Sequence, residues 1–303
     1  MPAALLPDRG VVKVAGESAE QFLNGLLTAD IGKVTPDCAA FAALLTPQGK
    51  IIVDCIAVEA PPKAGGGFFL DCPRALAPSL VDKLNFYKLR AKVIIENLSE
   101  SLGVLAAWGG SGGTKYGLCY ADPRLPALGL RVMIPPHLAR AVSESLNAEL
   151  VDVKLYEAHR IALGIPRGGT DFVYGDAFPH ETDMDQLNGV DFAKGCFVGQ
   201  EVVSRIEHRG TARTRVVPFA YEGFAPDAGA AVTALQKTVG TLGSTNAGRG
   251  LAMLRLDRVE EAISAGTPLV SGDITLQLIK PDWARFQFPG SASSKAAASK
   301  VAG

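Results

Sequence analysis

What this chain lacks narrows it first. No stretch approaches the roughly 18 consecutive apolar residues that a membrane span requires; the strongest runs, such as Val104-Leu105-Ala106-Ala107-Trp108, are of strand length. The first residues, Met1-Pro2-Ala3-Ala4-Leu5-Leu6-Pro7-Asp8, have no basic leader, and their prolines interrupt the apolar run, so no secretory signal is expected. Neither charge is in excess, with 30 Lys and Arg against 31 Asp and Glu. A broad basic face for nucleic-acid phosphates is therefore not expected, because phosphate neutralisation needs clustered Lys and Arg. The five cysteines, Cys38, Cys55, Cys72, Cys119 and Cys196, contain no CxxC pair. A metal or cluster site built by this chain alone is thus not expected. Together the absences predict a cytoplasmic protein with reduced thiols, no membrane partner and no direct nucleic-acid partner.

What remains is a chain of 303 residues that is 48% hydrophobic, which excludes global disorder and exceeds what one core usually serves. Val11-Val12-Lys13-Val14 reads as a strand. Ser18 and Gln21 form a capping-box pattern ahead of a helix with Phe22, Leu23, Leu26 and Leu27 as its apolar face. Two β-rich runs, residues 41–46 and 50–58, flank Pro47-Gln48-Gly49 as a hairpin. A loop at 61–67, a strand at 68–70, a helix over about 73–87 and a strand at 92–95 follow. A second strand–helix unit covers 129–134 and 136–146, and the glycine-rich 109–113 reads as a turn. A helix over 155–163 places Leu155, Ala158 and Ala162 on one face. Short β runs after Arg213, at 216–221, 232–235, 238–242, 251–256 and 274–279, predict a separate small barrel. The fold class is α+β, with helices on one face of a ferredoxin-like antiparallel sheet. The expected organisation is a body over 1–210, itself two interleaved subdomains, a C-terminal β-barrel over 211–287 and a disordered tail over 288–303.

One segment carries distinctive chemistry. Lys194-Gly195-Cys196-Phe197-Val198-Gly199-Gln200-Glu201 leads into a helix predicted to begin near Gly199, with Val202, Val203 and Ile206 at helical spacing. A thiol ahead of a helix N-terminus and two residues from a lysine sits in positive potential, which favours the thiolate as nucleophile or ligand. The alternative on composition alone is a tight glycine turn with Cys196 packed beneath it.

That octapeptide closely resembles the KGCYxGQE motif of the YgfZ/IBA57 family, with Phe197 at the usual tyrosine. Other stretches resemble the family in the same order: 22–30 (FLNGLLTAD), 45–50 (LTPQGK), 156–166 (YEAHRIALGIP), 179–181 (PHE) and 250–255 (GLAMLR). The resemblance implies the fold of the glycine-cleavage T-protein, an aminomethyltransferase, with tetrahydrofolate or a derivative as ligand. It implies Cys196 as the functional thiol, tuned by Lys194, within a motif completed by Gly195, Phe197, Gly199, Gln200 and Glu201. Folate contacts are expected at Asp54, Glu157, Glu181 and Arg205, with Arg209 beside the last; a carboxylate suits an aminopyrimidine edge and a guanidinium suits a glutamate tail. The implied role is a folate-binding accessory to iron–sulfur cluster assembly or repair, supporting enzymes such as radical-SAM tRNA-modifying ones. One cysteine cannot fill four cluster positions, so any transient cluster would be shared with an assembly protein, a client or a small thiol. The alternatives are a tetrahydrofolate-dependent aminomethyltransferase and a non-catalytic folate-gated binding module. His159, His180 and His208 show no metal-ligand spacing and read as structural or surface groups.

Overall fold

The computed structural model describes residues 1–290 apart from 211. The chain opens with β1 (Pro2–Leu6), turns at Pro7-Asp8, and continues as β2 (Arg9–Ala15) and α1 (Ala19–Asn24). The hairpin β3 (Ala40–Leu45) and β4 (Ile51–Glu59) follows, then β5 (Phe68–Pro73), α2 (Ala77–Lys88) and β6 (Ile94–Asn97). Five of these strands form an antiparallel sheet in the order β3-β4-β5-β2-β6. Next come β7 (Gly103–Ala107), β8 (Leu118–Ala121), β9 (Leu130–Ile134), α3 (Ala139–Ser145) and β10 (Glu149–Leu150). With β1 they make a second sheet, β10-β1-β7-β9-β8, antiparallel except for the β1–β10 pair.

Strand alternation stacks these parts in four layers. Val12, Val14, Val53, Cys55 and Leu70 face α1 and α2, where Leu23, Leu80 and Leu84 cover them. Val11, Ile56, Val58 and Phe69 face the other way, against Leu6, Val104, Ala106 and Met133 of the second sheet. That sheet buries Leu105, Val132 and Ile134 under Val142 and Leu146 at the α3 end.

α4 (Val153–Ala162) joins this body to the barrel, and α5 (Gln200–Arg209) precedes it. The barrel strands are β11 (Thr214–Ala220), β12 (Ala231–Ala234), β13 (Lys237–Asn246), β14 (Arg249–Arg255), β15 (Leu269–Ser271) and β16 (Ile274–Leu278). They close in the order β11-β14-β13-β12-β15-β16. α6 (Leu256–Ser264) lies between β14 and β15 and buries Val259 and Ala262.

The structure differs from the sequence expectations at several points. β1 was not anticipated: Pro2 occupies the first strand position, where a missing N–H is tolerated. The Ser18 capping box does not form, since the Ser18 side chain makes no cap hydrogen bond. α1 stops at Asn24, and Leu26 and Leu27 are buried in the turn after it. On α4 the buried side is Tyr156, Arg160 and Ile161, while Leu155 is exposed. The helix sits between body and barrel, and a paired arginine replaces part of its apolar stripe. α6 lay hidden because Leu256 was read as the end of a strand. The tail expected from 288 starts too early, because Phe288 is buried in the barrel core; residues 291–303 lie outside the described residues.

Candidate functional site

The motif segment 194–201 is pinned to two of the other matched stretches. Asp191 fixes its approach: its Oδ1 accepts from the N–H groups of Ala193 and Lys194 at 2.9 and 3.1 Å, and its Oδ2 meets Lys33 Nζ at 2.7 Å. Its own N–H donates to the carbonyl of Thr28 at 3.0 Å, and Val198 N–H donates to Gly25 at 3.3 Å. Lys194 Nζ, only 9% exposed, donates to the carbonyls of Asn24, Leu27 and Ala29 at 2.7, 2.6 and 2.8 Å. Burial pulls this lysine down to about 8, with Asp30 and Asp191 opposing. Gly199, at φ 82°, caps α5 against the hairpin turn; a Cβ there would lie 2.5 Å from the Thr46 carbonyl oxygen. Only glycine combines that conformation with that approach.

Cys196 is left exposed on this pinned loop, and Phe197 turns inward, buried in the inter-sheet core with the Lys194 ammonium 5.2 Å from its ring centre. Any tuning of the thiol by Lys194 acts through its charge and not through a hydrogen bond. An ammonium has three N–H donors, and here all three go to carbonyls of the α1 turn. Gln200 opens α5, and Glu201 is an exposed side chain paired with Arg205 at 2.6 Å.

The other thiols differ. Cys55 and Cys72 are buried, and burial pushes Cys55 well up and Cys72 up to about 12. Burial also raises Cys119. Cys38 is exposed on a turn that its backbone closes with Thr35.

Asp54 and Glu157 line one cleft between the sheets, α4 and the 166–174 loop, together with Arg9, Arg131 and Tyr174. Asp54 leaves β4 on the inter-sheet side and accepts a hydrogen bond from the Tyr174 hydroxyl. Burial, then the Asp54 carboxylate, raises the Tyr174 phenol, so it stays a donor. Glu157 Oε2 is held by Arg160 at 2.8 Å and Arg167 at 3.0 Å. Behind the cleft lies a buried network that sequence reading missed. Arg131 bridges Asp71 and Asp122, Arg9 meets Asp71 at 2.6 Å, and Arg124 meets Asp122 at 2.7 Å. Burial alone would raise both aspartates, and the arginines overcome it and hold both below the usual carboxylate range. The signal was a lone charge inside an apolar β run, Asp71 in 68–72 and Arg131 in 130–134; such a charge is buried only when paired. Arg160 is similarly enclosed by Asp171, Ser244 and the Ile165 carbonyl.

The remaining expected contacts lie elsewhere. Glu181 accepts from Phe178 N–H at 2.8 Å and lines a different cavity, beside Arg213 and Arg255. Arg205 and Arg209 are exposed residues of α5 and do not line the Asp54 cleft. His180 is buried, and its Nε2 lies 3.0 Å from Glu207. With Asp185 these two residues bring ligand atoms within 4.8 Å of one another, a grouping of metal-ligand type that sequence spacing did not reveal. Both Asp185 oxygens are already taken by Arg215.

Comparison with known proteins places these features. Residues 213–286 match the family described as CAF17, C-terminal beta-barrel domain. The chain is 33% identical over 235 residues to the mitochondrial iron–sulfur cluster assembly factor IBA57 homolog of Mycosarcoma maydis, covering 72% of this chain and 57% of that protein. It thus spans little more than half the length of that relative. It is 30% identical to mitochondrial iron–sulfur cluster assembly factor IBA57 of Mus musculus, covering 92% of this chain and 84% of that one. Among solved structures, the glycine cleavage system aminomethyltransferase T of Bartonella henselae superposes with a TM-score of 0.73 at 16% identity, over 95% of this chain and 87% of that one. The last likeness shows a shared fold. The Mus musculus relative, 30% identical and matched over most of both chains, shows more: this chain belongs to the IBA57 family.

Proposed function

We propose that the chain serves iron–sulfur cluster assembly, with Cys196 as its thiolate ligand to a cluster that passes through as cargo. The observation that carries this reading is the contrast among the thiols. Cys38 and Cys196 are the two exposed thiols, and of these Cys196 is the one held on the loop fixed by Lys194, Asp191 and Val198. One thiolate leaves the other cluster positions to assembly proteins or client enzymes, radical-SAM tRNA-modifying enzymes among them. All five thiols are unpaired, which suits a reducing compartment, and we place the work in the cytoplasm. The test is complementation of cells lacking the wild-type copy. Cys196→Ser should leave Fe–S enzyme activity and tRNA thiolation unrestored; full restoration would overturn the reading.

Tetrahydrofolate is the ligand we propose for the cleft, supported by the convergence of Asp54 and Glu157 on one space. The donor set suits an aminopyrimidine edge, but the space does not. The cleft's free volume is about 30 Å³, room for one or two waters, whereas ligand pockets run to hundreds of Å³. A pterin therefore does not fit the residues as they stand, and no chemical step is assigned to it. Binding requires the 166–169 stretch to move away from the cleft. Titration with tetrahydrofolate should show saturable binding, weakened about tenfold by Glu157→Ala, the loss of one charge-assisted contact. Absence of binding would remove folate and leave the Cys196 reading standing. An aminomethyltransferase would instead yield methylenetetrahydrofolate when the purified protein is given aminomethylated lipoyl carrier and tetrahydrofolate; no product is expected.

A further inference from the structure

Three of the four buried side-chain atoms that find no hydrogen-bond partner among the described residues belong to one place: His180 Nδ1, Asp183 Oδ2 and Arg215 Nε. Arg215 ties that place together, donating to the His180 carbonyl at 2.7 Å and reaching Asp183 at 3.3 Å and Asp185 at 2.9 Å. Buried polar atoms are normally paired, so here the fold leaves polar groups to a ligand. Neither the thiol loop nor the Asp54 cleft uses these residues.

We propose that His180, Asp185 and Glu207 bind a divalent transition-metal ion of the zinc class, with its open coordination side toward the cavity they line. That cavity, of about 520 Å³, lies between α5, the start of α6 and residues 285–289. The three residues already offer ligand atoms within 4.8 Å of one another, and His180 Nε2 stands 3.0 Å from Glu207 Oε2. Bonds of about 2.0–2.2 Å to a tetrahedral zinc set ligand atoms about 3.4 Å apart. Shifts on the order of an ångström complete the site, and Glu207, with its side chain 44% exposed, is free to make them. The ion takes the place of the proton between Nε2 and Oε2, and the neutral ring keeps its one proton on Nδ1.

Asp185 has room for the ion despite Arg215. Its Oδ2 accepts from both Arg215 and Gln186, whereas its Oδ1 accepts from Arg215 alone. A carboxylate oxygen has two lone pairs, so Oδ1 keeps one. Arg215 then holds the carboxylate in place, as outer partners of metal ligands do. The charge around the cavity also favours a cation, with Asp185, Glu207, Asp257 and Glu260 against three arginines. Imidazole among the donors selects the zinc class over magnesium or calcium. Three protein ligands leave a position open to the cavity, as in zinc sites that hold water or substrate. The site contains no thiol and is therefore independent of the cluster reading.

The test is titration of the full chain carrying Cys38→Ser and Cys196→Ser, which removes the exposed thiols as rival ligands. Zn²⁺ is followed by calorimetry and Co²⁺ by absorption. One equivalent should bind saturably, with cobalt ligand-field bands and no thiolate charge-transfer band. X-ray absorption of the zinc form should show imidazole and oxygen at about 2.0–2.2 Å and no sulfur at about 2.3 Å. Glu207→Ala, at a partly exposed position, should weaken binding by at least about 10–100-fold, the loss seen when even an outer partner is removed. Glu260→Ala, in the same cavity but outside the cluster, should change it by less than about twofold, since a screened charge acts weakly. Circular dichroism checks that both variants fold, and excess Mg²⁺ should not displace the ion. The absence of saturable binding up to about 1 mM would overturn the proposal. So would sulfur among the zinc ligands, displacement by Mg²⁺, or equal effects of Glu207→Ala and Glu260→Ala.

Discussion

Lys194→Met is the sharpest test of how the thiol loop is held. Methionine keeps the length of the side chain and removes the three donors. The carbonyls of Asn24, Leu27 and Ala29 would lose their ammonium partner, at about 1–3 kcal/mol for each buried acceptor left unpaired, or about 6 kcal/mol in mid-range. Against this, deleting the ammonium returns the cost of burying it. Lowering from 10.5 to about 8 corresponds to about 3.4 kcal/mol. The net expectation is a loss of about 2–3 kcal/mol, seen as a melting temperature lower by about 4–10 °C. The pH dependence has a definite sign. The folded lysine releases its proton at lower pH than the unfolded one, so the unfolded state binds more protons between about pH 8 and 10.5. Wild-type stability therefore rises through that window, and its margin over Lys194→Met widens. Alkylation of Cys196 by iodoacetamide, followed against pH, separates the two roles. A variant as stable as wild type, with its alkylation profile displaced to higher pH, would refute the pin and reinstate the lysine as a tuner.

Two further outcomes follow from the geometry. Gly199→Ala puts a Cβ 2.5 Å from the Thr46 carbonyl oxygen and 3.1 Å from Gly49 Cα, at φ 82°; neither neighbour is a flexible side chain. It should cost about 2–4 kcal/mol by denaturant titration and raise hydrogen exchange across 194–200, and an unchanged midpoint would sink that account. Arg131→Met strips Asp71 and Asp122 of a shared partner at 3% exposure, a loss of about 3–5 kcal/mol. Because both aspartates sit below their unfolded values, their contribution is full at neutral pH and fades as pH falls below about 4. The wild type should therefore lose stability below that pH, and the variant should lose less.

Local pattern carried much of this molecule. The hairpin turn 47–49, the α5 start at Gly199 and most barrel strands are where periodicity and turn residues put them. Asp54 and Glu157, 103 positions apart in sequence, were legible only through family likeness, and the structure places them on one cleft. What escaped was polar and nonlocal. The α4 stripe was misread because Arg160 is buried, and a buried arginine is stable only with partners such as Asp171 and Ser244, which no helical period can show. The anchoring role of Lys194 was hidden for the same reason: sequence proximity to Cys196 is visible, whereas three carbonyls some 165–170 residues away are not.

The two parts of the candidate site share the β3–β4 hairpin, and this limits how the cleft can open. On one side Gly199 and Val202 press on the turn, with Gly49 close enough to Val202 that a Cβ there would sit 3.1 Å away. On the other, Ile51 exchanges hydrogen bonds with Gly175 and Ala177 at 2.7 and 3.0 Å, holding the segment that carries Tyr174 onto Asp54. A hairpin gripped from both sides is the costly wall to move. The cheaper wall is the 166–169 stretch, where Arg167 is more than one-third exposed and Gly169, at φ 82°, has open space where a Cβ would stand. Opening from that side releases Glu157 from Arg167 and leaves β4, the turn and the Cys196 loop in place. A ligand entering the cleft would then meet Glu157 held by Arg160 alone and Asp54 on a fixed strand with Tyr174 still bonded to it, and the thiol would still be presented to its partner.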